Sequence, residues 1–186
     1  IAAPHLRADA TEIAIRMPLS SNRFPVEAVY DRAAEEIGTH LAQGQNVAVL
    51  CEGDPFFYGS FMYLYSRLSE NWRVGVVPGV SSLNAGAAEL GVPLAERNDV
   101  VSVIPATLDE ADLAERLAAA DAAVIIKVGR HLDKVRRVLE AEGLAAGARY
   151  IERATMDGQR IASLDDMSDQ KAPYFSLIIV RKAADI

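Results

Sequence analysis

A chain of 186 residues, 51% hydrophobic and 24% charged, has the composition of a soluble globular protein able to bury a core, as one large domain or two small ones. Its net charge of −7 and sequence pI of about 5.0 exclude wholesale nucleic-acid binding through a basic surface and leave room only for a local basic patch facing an acidic ligand. The single cysteine, Cys51, excludes an internal disulfide framework and fits a reducing compartment. No apolar run approaches the ~20 residues needed to span a bilayer, and Ile1 to Asp9, with Pro4, His5, Arg7 and Asp9, lacks the apolar centre of a signal peptide. The expectation is a cytoplasmic protein with no membrane or nucleic-acid partner.

In chain order, Thr11 to Ile15 reads as a short strand and Pro18 to Pro25 as a loop. The spacing of Val26, Val29, Tyr30, Ala33, Ile37 and Leu41 then predicts a helix ending near Gly44. Val47-Ala48-Val49-Leu50-Cys51 shows no polar alternation, the pattern of a parallel strand covered on both faces. Glu52-Gly53-Asp54-Pro55 stops it, because proline cannot extend a ladder and glycine permits a sharp change of direction. Phe61, Leu64, Tyr65 and Leu68 fall at helical spacing over Ser60–Leu68. Arg73 to Val77 predicts a second short strand closed by Pro78-Gly79, and Ser81 or Ser82 caps a helix running to about Leu90, with Gly91 beyond it.

The texture changes around Asn98, which divides the chain into an N-terminal α/β domain of residues 1–98 and a C-terminal α/β domain of residues 99–186. In the second, Val100 to Ile104 is a strand and Thr107-Leu108-Asp109-Glu110 fits a capping box. A strand over Ala122–Val128 follows, then a helix bearing Leu132, Val135 and Leu139 with Gly143 at its end. Arg149–Arg153 is a strand, Met156-Asp157-Gly158 a turn, and strands near Ile161 and over Phe175–Val180 finish the chain. The last two are expected to pair as an antiparallel hairpin in a mixed sheet.

Several familiar constellations are missing: no GxGxxG after a strand, no GxxxxGK[ST], no HExxH, no CxxC. His5, His40 and His131 sit in unrelated contexts and offer no metal-ligand spacing. Cys51, at a strand end, is most simply a small buried apolar residue. What is left is a set of strand-terminal loops: Gly53-Asp54-Pro55, Gly79-Val80-Ser81-Ser82, Lys127-Val128-Gly129 and Ala154-Thr155. Open α/β sheets bind ligands at the carboxyl ends of their strands. Small residues there let a ligand approach the backbone, and Asp54 can accept hydrogen bonds from hydroxyl or ammonium groups. The same residue types also end strands for turn chemistry alone, so spacing leaves a shared ligand site and ordinary turns as alternatives.

Longer strings narrow the choice. CEGDPFFYGSFMYL at 51–64, VVPGVSSLNAGAAELGVPL at 76–94 and SVIPATL at 102–108 resemble the tetrapyrrole methylase family, over a span from about Pro18 to Val180. The particular form is most similar to the members that methylate carbon 20 of precorrin-2 or cobalt-factor II. Other members, acting at a different ring carbon or on diphthine, are the near alternatives; a doubly wound nucleotide-binding oxidoreductase is the distant one, and it lacks the expected glycine fingerprint.

The resemblance implies two α/β domains with mixed sheets, a ligand cleft between them, S-adenosylmethionine as methyl donor and a homodimer. By position it assigns cofactor contacts to Glu52, Gly53, Asp54, Phe57, Ser81, Ser82, Val128 and Ala154, and to Pro173, Tyr174, Phe175 and Ser176, largely through main-chain groups. It implies no metal and names no catalytic base. The family opens with a strand and a GxGPGxP loop, and Ile1 is expected to lie after that segment. The implied substrate carries many carboxylates, so local cations must offset an acidic protein. Lys127 and Arg130, near a strand end, are the candidates, with Tyr58 beside Phe57 lining the macrocycle. Arg16 and Arg23 are weaker candidates, and Lys134 and Arg137 read as a solvated helix face.

Overall fold

The computed structural model describes residues 2–16, 26–167 and 171–182; the expected loop from Pro18 to Pro25, with Arg23 in it, lies outside them. The chain divides into two compact units, Ile1–Ser81 and Ser82–Ile186.

In the first unit, helices α1 (Val26–Ala42) and α2 (Phe61–Leu68) follow the apolar stripes of the sequence. Tyr30, Ala33 and Ile37 of α1 are buried with Phe61, Leu64 and Leu68 of α2, against half-buried Ile15, Val47, Val49, Cys51, Trp72, Val74 and Val76. Arg67 clamps the helix pair, donating to Asp31 and Glu27 at 2.6 Å each while lying over the Tyr30 ring. The three strands expected here are not strands. Thr11–Ile15, Val47–Cys51 and Arg73–Val77 form no ladder among the described residues, and each has only one covered side. Val47, Val49 and Cys51 turn inward, whereas Ala48 and Leu50 turn outward, Leu50 with 60% of its surface exposed. An uninterrupted apolar run states that no polar group interrupts the segment; it does not state that both sides are covered.

The second unit holds a five-stranded mixed sheet in the order β1-β2-β5-β3-β4, from β1 (Val101–Pro105), β2 (Ala122–Ile126), β3 (Arg149–Glu152), β4 (Arg160–Ser163) and β5 (Ser176–Arg181). β1 and β2 run parallel; β5 is antiparallel to both β2 and β3, and β4 is antiparallel to β3. The hairpin is therefore β3–β4. The last two strands do not pair with each other, because β5 returns between β2 and β3, where all its residues from Ser176 to Val180 are buried. Its alternation divides the core: Ile178 and Val180 pack with Leu113, Leu117, Val135 and Leu139 of helices α4 (Glu110–Ala119) and α5 (Leu132–Ala141), while Leu177 and Ile179 pack with Leu83 and Ala87 of helix α3 (Ser82–Leu90).

That packing places α3 with the second unit, ahead of the division expected near Asn98. The segment after it is tied down as well: Arg181, its side chain only 7% exposed, donates to Asp99 at 2.7 Å and to the Pro93 carbonyl at 3.3 Å. Helices α1, α3 and α5 end where Gly44, Gly91 and Gly143 were expected to end them, each glycine at positive φ with paired i−5 and i−3 backbone bonds closing the last turn.

The cap of α4 differs from expectation by two residues. Asp109, not Thr107, is the N-cap; its carboxylate accepts from the Asp112 N–H at 2.9 Å, and an anion suits the helix N-terminus better than a hydroxyl. Asp109→Ala is expected to destabilise the second unit by about 1 kcal/mol, read as a lowered Tm, whereas Thr107→Ala leaves Tm within measurement scatter.

Candidate functional site

The first unit brings two of the expected loops together. The Asp54 carboxylate joins them: Oδ1 accepts from the Phe56 N–H at 2.9 Å and Oδ2 accepts from the Gly79 N–H at 3.0 Å. Gly79 comes so close to the first loop that a Cβ there would lie 2.0 Å from the Gly53 carbonyl oxygen, so only glycine fits. Gly53 is itself beside Ser81 and the Val80 carbonyl. Downstream, Phe56 is held by Tyr65 and Phe61, with ring centroids 5.0 and 5.9 Å away, whereas Phe57 and Tyr58 stack edge to face at 5.1 Å and are 38% and 49% exposed. Glu52 faces solvent. Cys51 is half-buried against the apolar cluster; burial, and then the Glu52 charge, push its thiol above the usual range, which makes it a poor nucleophile.

The second unit gathers the other expected loops along one sheet edge, and the register shows why. Ile126 at the end of β2 opposes Leu177, and Glu152 at the end of β3 opposes Ser176. Since β3 runs in the same sense as β1 and β2, the segments that follow all three strands emerge on the side where β5 begins. Each turns sharply on leaving its ladder. Lys127 has φ +58°, which stops β2 two residues before the expected Val128, and Arg153 and Thr155 on either side of Ala154 have φ +49° and +64°. The Arg153 N–H donates to the Phe175 carbonyl at 2.8 Å and so joins the loop after β3 to the segment before β5. Within that segment the Ser176 hydroxyl donates to the Pro173 carbonyl at 2.7 Å and the Ser176 N–H to the Tyr174 carbonyl at 3.0 Å. Tyr174 and Phe175 stand outward, 76% and 42% exposed.

Val128 has no exposed surface and its side chain belongs to the core, so only its backbone can meet a ligand. Ser82 is the exposed first residue of α3, with Ser81 just ahead of it. Lys127 and Arg130 are exposed beside the sheet edge, and neighbouring His131 is held below the ordinary imidazole range by burial first and by the Lys134 and Arg130 charges second. The positive charge of this loop is therefore carried by the lysine and arginine. Of the expected solvated face, Arg137 is exposed and pairs with Glu110 at 2.6 Å, whereas Lys134 is half-buried and donates to the Leu108 carbonyl; both tie α5 to the start of α4. Arg16 is exposed on an extended segment. Three residues on the same sheet edge escaped sequence reasoning. Ala106, just past β1, donates its N–H to the Ile126 carbonyl at 2.8 Å; its only signal was membership of the PATL string. Tyr150 and Glu152 had none.

Comparison with known proteins agrees with this geometry. The chain is 42% identical over 183 residues to the precorrin-2 C(20)-methyltransferase of a Sinorhizobium species, covering 94% of this chain and 75% of that protein. It is also 42% identical over 188 residues to the cobalamin biosynthesis protein CobIJ of Mycobacterium tuberculosis, of which it spans only 37%. The uroporphyrin-III C-methyltransferase of Thermus thermophilus, solved with S-adenosyl homocysteine, shares the fold at a TM-score of 0.60 and 22% identity, over 84% of this chain and 73% of that one. Residues 1–167 match the family model of the Tetrapyrrole (Corrin/Porphyrin) Methylases, and the chain belongs to that family.

Proposed function

We propose that this protein transfers a methyl group from S-adenosylmethionine to carbon 20 of precorrin-2 in the synthesis of cobalamin. The observation that carries the reading is the match, over nearly the whole chain, to the Sinorhizobium enzyme of that name. The residues suit the donor. Gly79 and Gly53 let two loops of one unit pack backbone to backbone, and in the other a rim of main-chain groups beside exposed aromatic rings suits an adenosine. Donor contacts are proposed for Glu52, Gly53, Asp54, Phe57 and Ser81, and likewise for Ser82, Val128, Ala154 and Pro173 to Ser176. When bound, S-adenosylmethionine supplies a sulfonium-activated methyl group.

The electron-rich macrocycle supplies its own carbon nucleophile, so the work left to the protein is orientation and exclusion of water. Lys127 and Arg130 meet substrate carboxylates through charge-assisted hydrogen bonds, and Tyr58 offers an aromatic face to the ring. We place the protein in the cytoplasm as a homodimer, and its lone, half-buried thiol suits a reducing compartment. No helix among the described residues is long and apolar enough to cross a membrane.

The test is direct. Purified protein, precorrin-2 and methyl-labelled S-adenosylmethionine should give a tetrapyrrole one methyl group heavier, labelled at carbon 20, with slower turnover of cobalt-factor II. Label on another ring carbon overturns the regiochemistry, and no label in the tetrapyrrole overturns the reading.

A further inference from the structure

Tyr150, on β3, heads the largest side chains with no exposed surface among the described residues. Its side chain belongs to the core cluster that includes Ile104, Leu113, Val135, Leu139 and Ile178, and a hydroxyl on so buried a residue needs a partner. It donates to Glu152 Oε2 at 2.5 Å, two residues along the same side of the strand. The other oxygen of that carboxylate, Oε1, accepts from Arg153 at 3.1 Å, and the Glu152 side chain is only 10% exposed. Ser176, which opposes Glu152 across β3 and β5, reaches the Pro173 carbonyl with its own hydroxyl. Burial first, and the Glu152 carboxylate second, raise the phenol far above its ordinary range, so it stays a neutral donor at any working pH.

A buried phenol and carboxylate are an expensive way to fill this space, since an apolar pair of similar volume would hold the sheet at least as well. The sheet has no need of them, because β3 and β5 are already joined by their ladder from Arg149↔Ile179 to Glu152↔Ser176. The segment from Pro173 to Phe175 has no ladder. Its course depends on the Ser176 hydroxyl, the Ser176 N–H and the Arg153 N–H, and the network meets it at Arg153, whose side chain the Glu152 carboxylate holds and whose N–H reaches the Phe175 carbonyl.

We infer that Tyr150, acting through Glu152 and Arg153, is a positioning residue that fixes the backbone of Arg153–Ala154 and of the segment up to Phe175 for the methyl donor. This rests on the reading above, in which those segments contact S-adenosylmethionine. Fully satisfied buried networks specify one arrangement of the groups they join, and a donor read mainly by main chain requires one arrangement.

The experiment compares the full-length parent with Tyr150→Phe, Glu152→Gln and a packing control, Ile178→Val, by calorimetry with S-adenosylhomocysteine and by steady-state kinetics. Tyr150→Phe should weaken S-adenosylhomocysteine binding and raise KM for S-adenosylmethionine about five- to tenfold. Its kcat should stay within about twofold of the parent, with KM for the tetrapyrrole unchanged. Glu152→Gln keeps an acceptor for the phenol but loses the ion pair with Arg153, and should fall between Tyr150→Phe and the parent. Ile178→Val should lower Tm without moving KM for the donor. Parent-like affinity in Tyr150→Phe overturns the inference, and so does an equal loss of affinity in Ile178→Val, which would make the role merely structural. A parent protein that binds no S-adenosylhomocysteine overturns the reading of the site itself, and that is measured before any variant is made.

Discussion

Gly79→Ala should reduce affinity for S-adenosylhomocysteine by about 100-fold, the loss expected when a charge-assisted loop contact is broken and the backbone on both sides is displaced. A methyl group at this position would lie 2.0 Å from the Gly53 oxygen and 2.9 Å from its carbonyl carbon. Both are backbone atoms, so no side-chain rotation relieves the overlap and one loop must move away from the other. That movement breaks the 3.0 Å bond from the Gly79 N–H to Asp54 and separates Gly53 from Ser81, two residues assigned here to one ligand. The helices of the first unit are held elsewhere, by Tyr30, Ile37, Phe61, Leu64 and the Arg67 clamp, so secondary structure by circular dichroism should survive. Global stability should fall by about 1–3 kcal/mol, as for other overpacked sites. Calorimetry decides the matter: binding within about twofold of the parent would mean that the close approach of these loops has no part in holding the donor.

What the sequence made legible, and what it did not, follows the range of the interactions. The ends of α1, α3 and α5 could be read because a helix stripe and the glycine after it are local signals, and Gly44, Gly91 and Gly143 close them in the same way. The strands of the second unit could be read too, and so could the loops that follow β2 and β3. Partner choice could not be read. Nothing local to Ser176–Val180 says that this strand inserts between β2 and β3 instead of extending a hairpin, and nothing local to Val47–Cys51 says that one side stays open. Lys134 and Arg137 read as a solvated helix face, yet each is tied to a carbonyl or carboxylate 26 or more positions away. The site shows the same split. The Gly-Asp-Pro motif drew attention to its loop, while the bond that gives Asp54 its structural part joins it to an amide 25 positions on.

Asp54→Ala is the sharper test of that loop. Expected from sequence as a direct ligand contact, its carboxylate also has one oxygen on the Phe56 N–H and the other on the Gly79 N–H. Truncation leaves both amides without those acceptors. Hydrogen bonds to charged acceptors contribute about 1.5–3 kcal/mol each, and the half-exposed setting here lowers the sum, so a loss near 2–3 kcal/mol is expected, or about 30- to 150-fold in donor affinity. Asp54→Asn keeps one acceptor oxygen but turns an NH2 toward the other amide, and should lie between the parent and Asp54→Ala. The discriminating measurement is the double variant. If Asp54 acts by holding Gly79 in place, Gly79→Ala has already broken that bond, and adding Asp54→Ala should weaken binding by no more than about threefold further, far short of additivity. If Asp54 instead grips the donor directly, the two losses act on separate contacts and their free energies should add. Full additivity in calorimetry with S-adenosylhomocysteine would return Asp54 to the role of ligand contact and leave the tie between the loops a feature of folding alone.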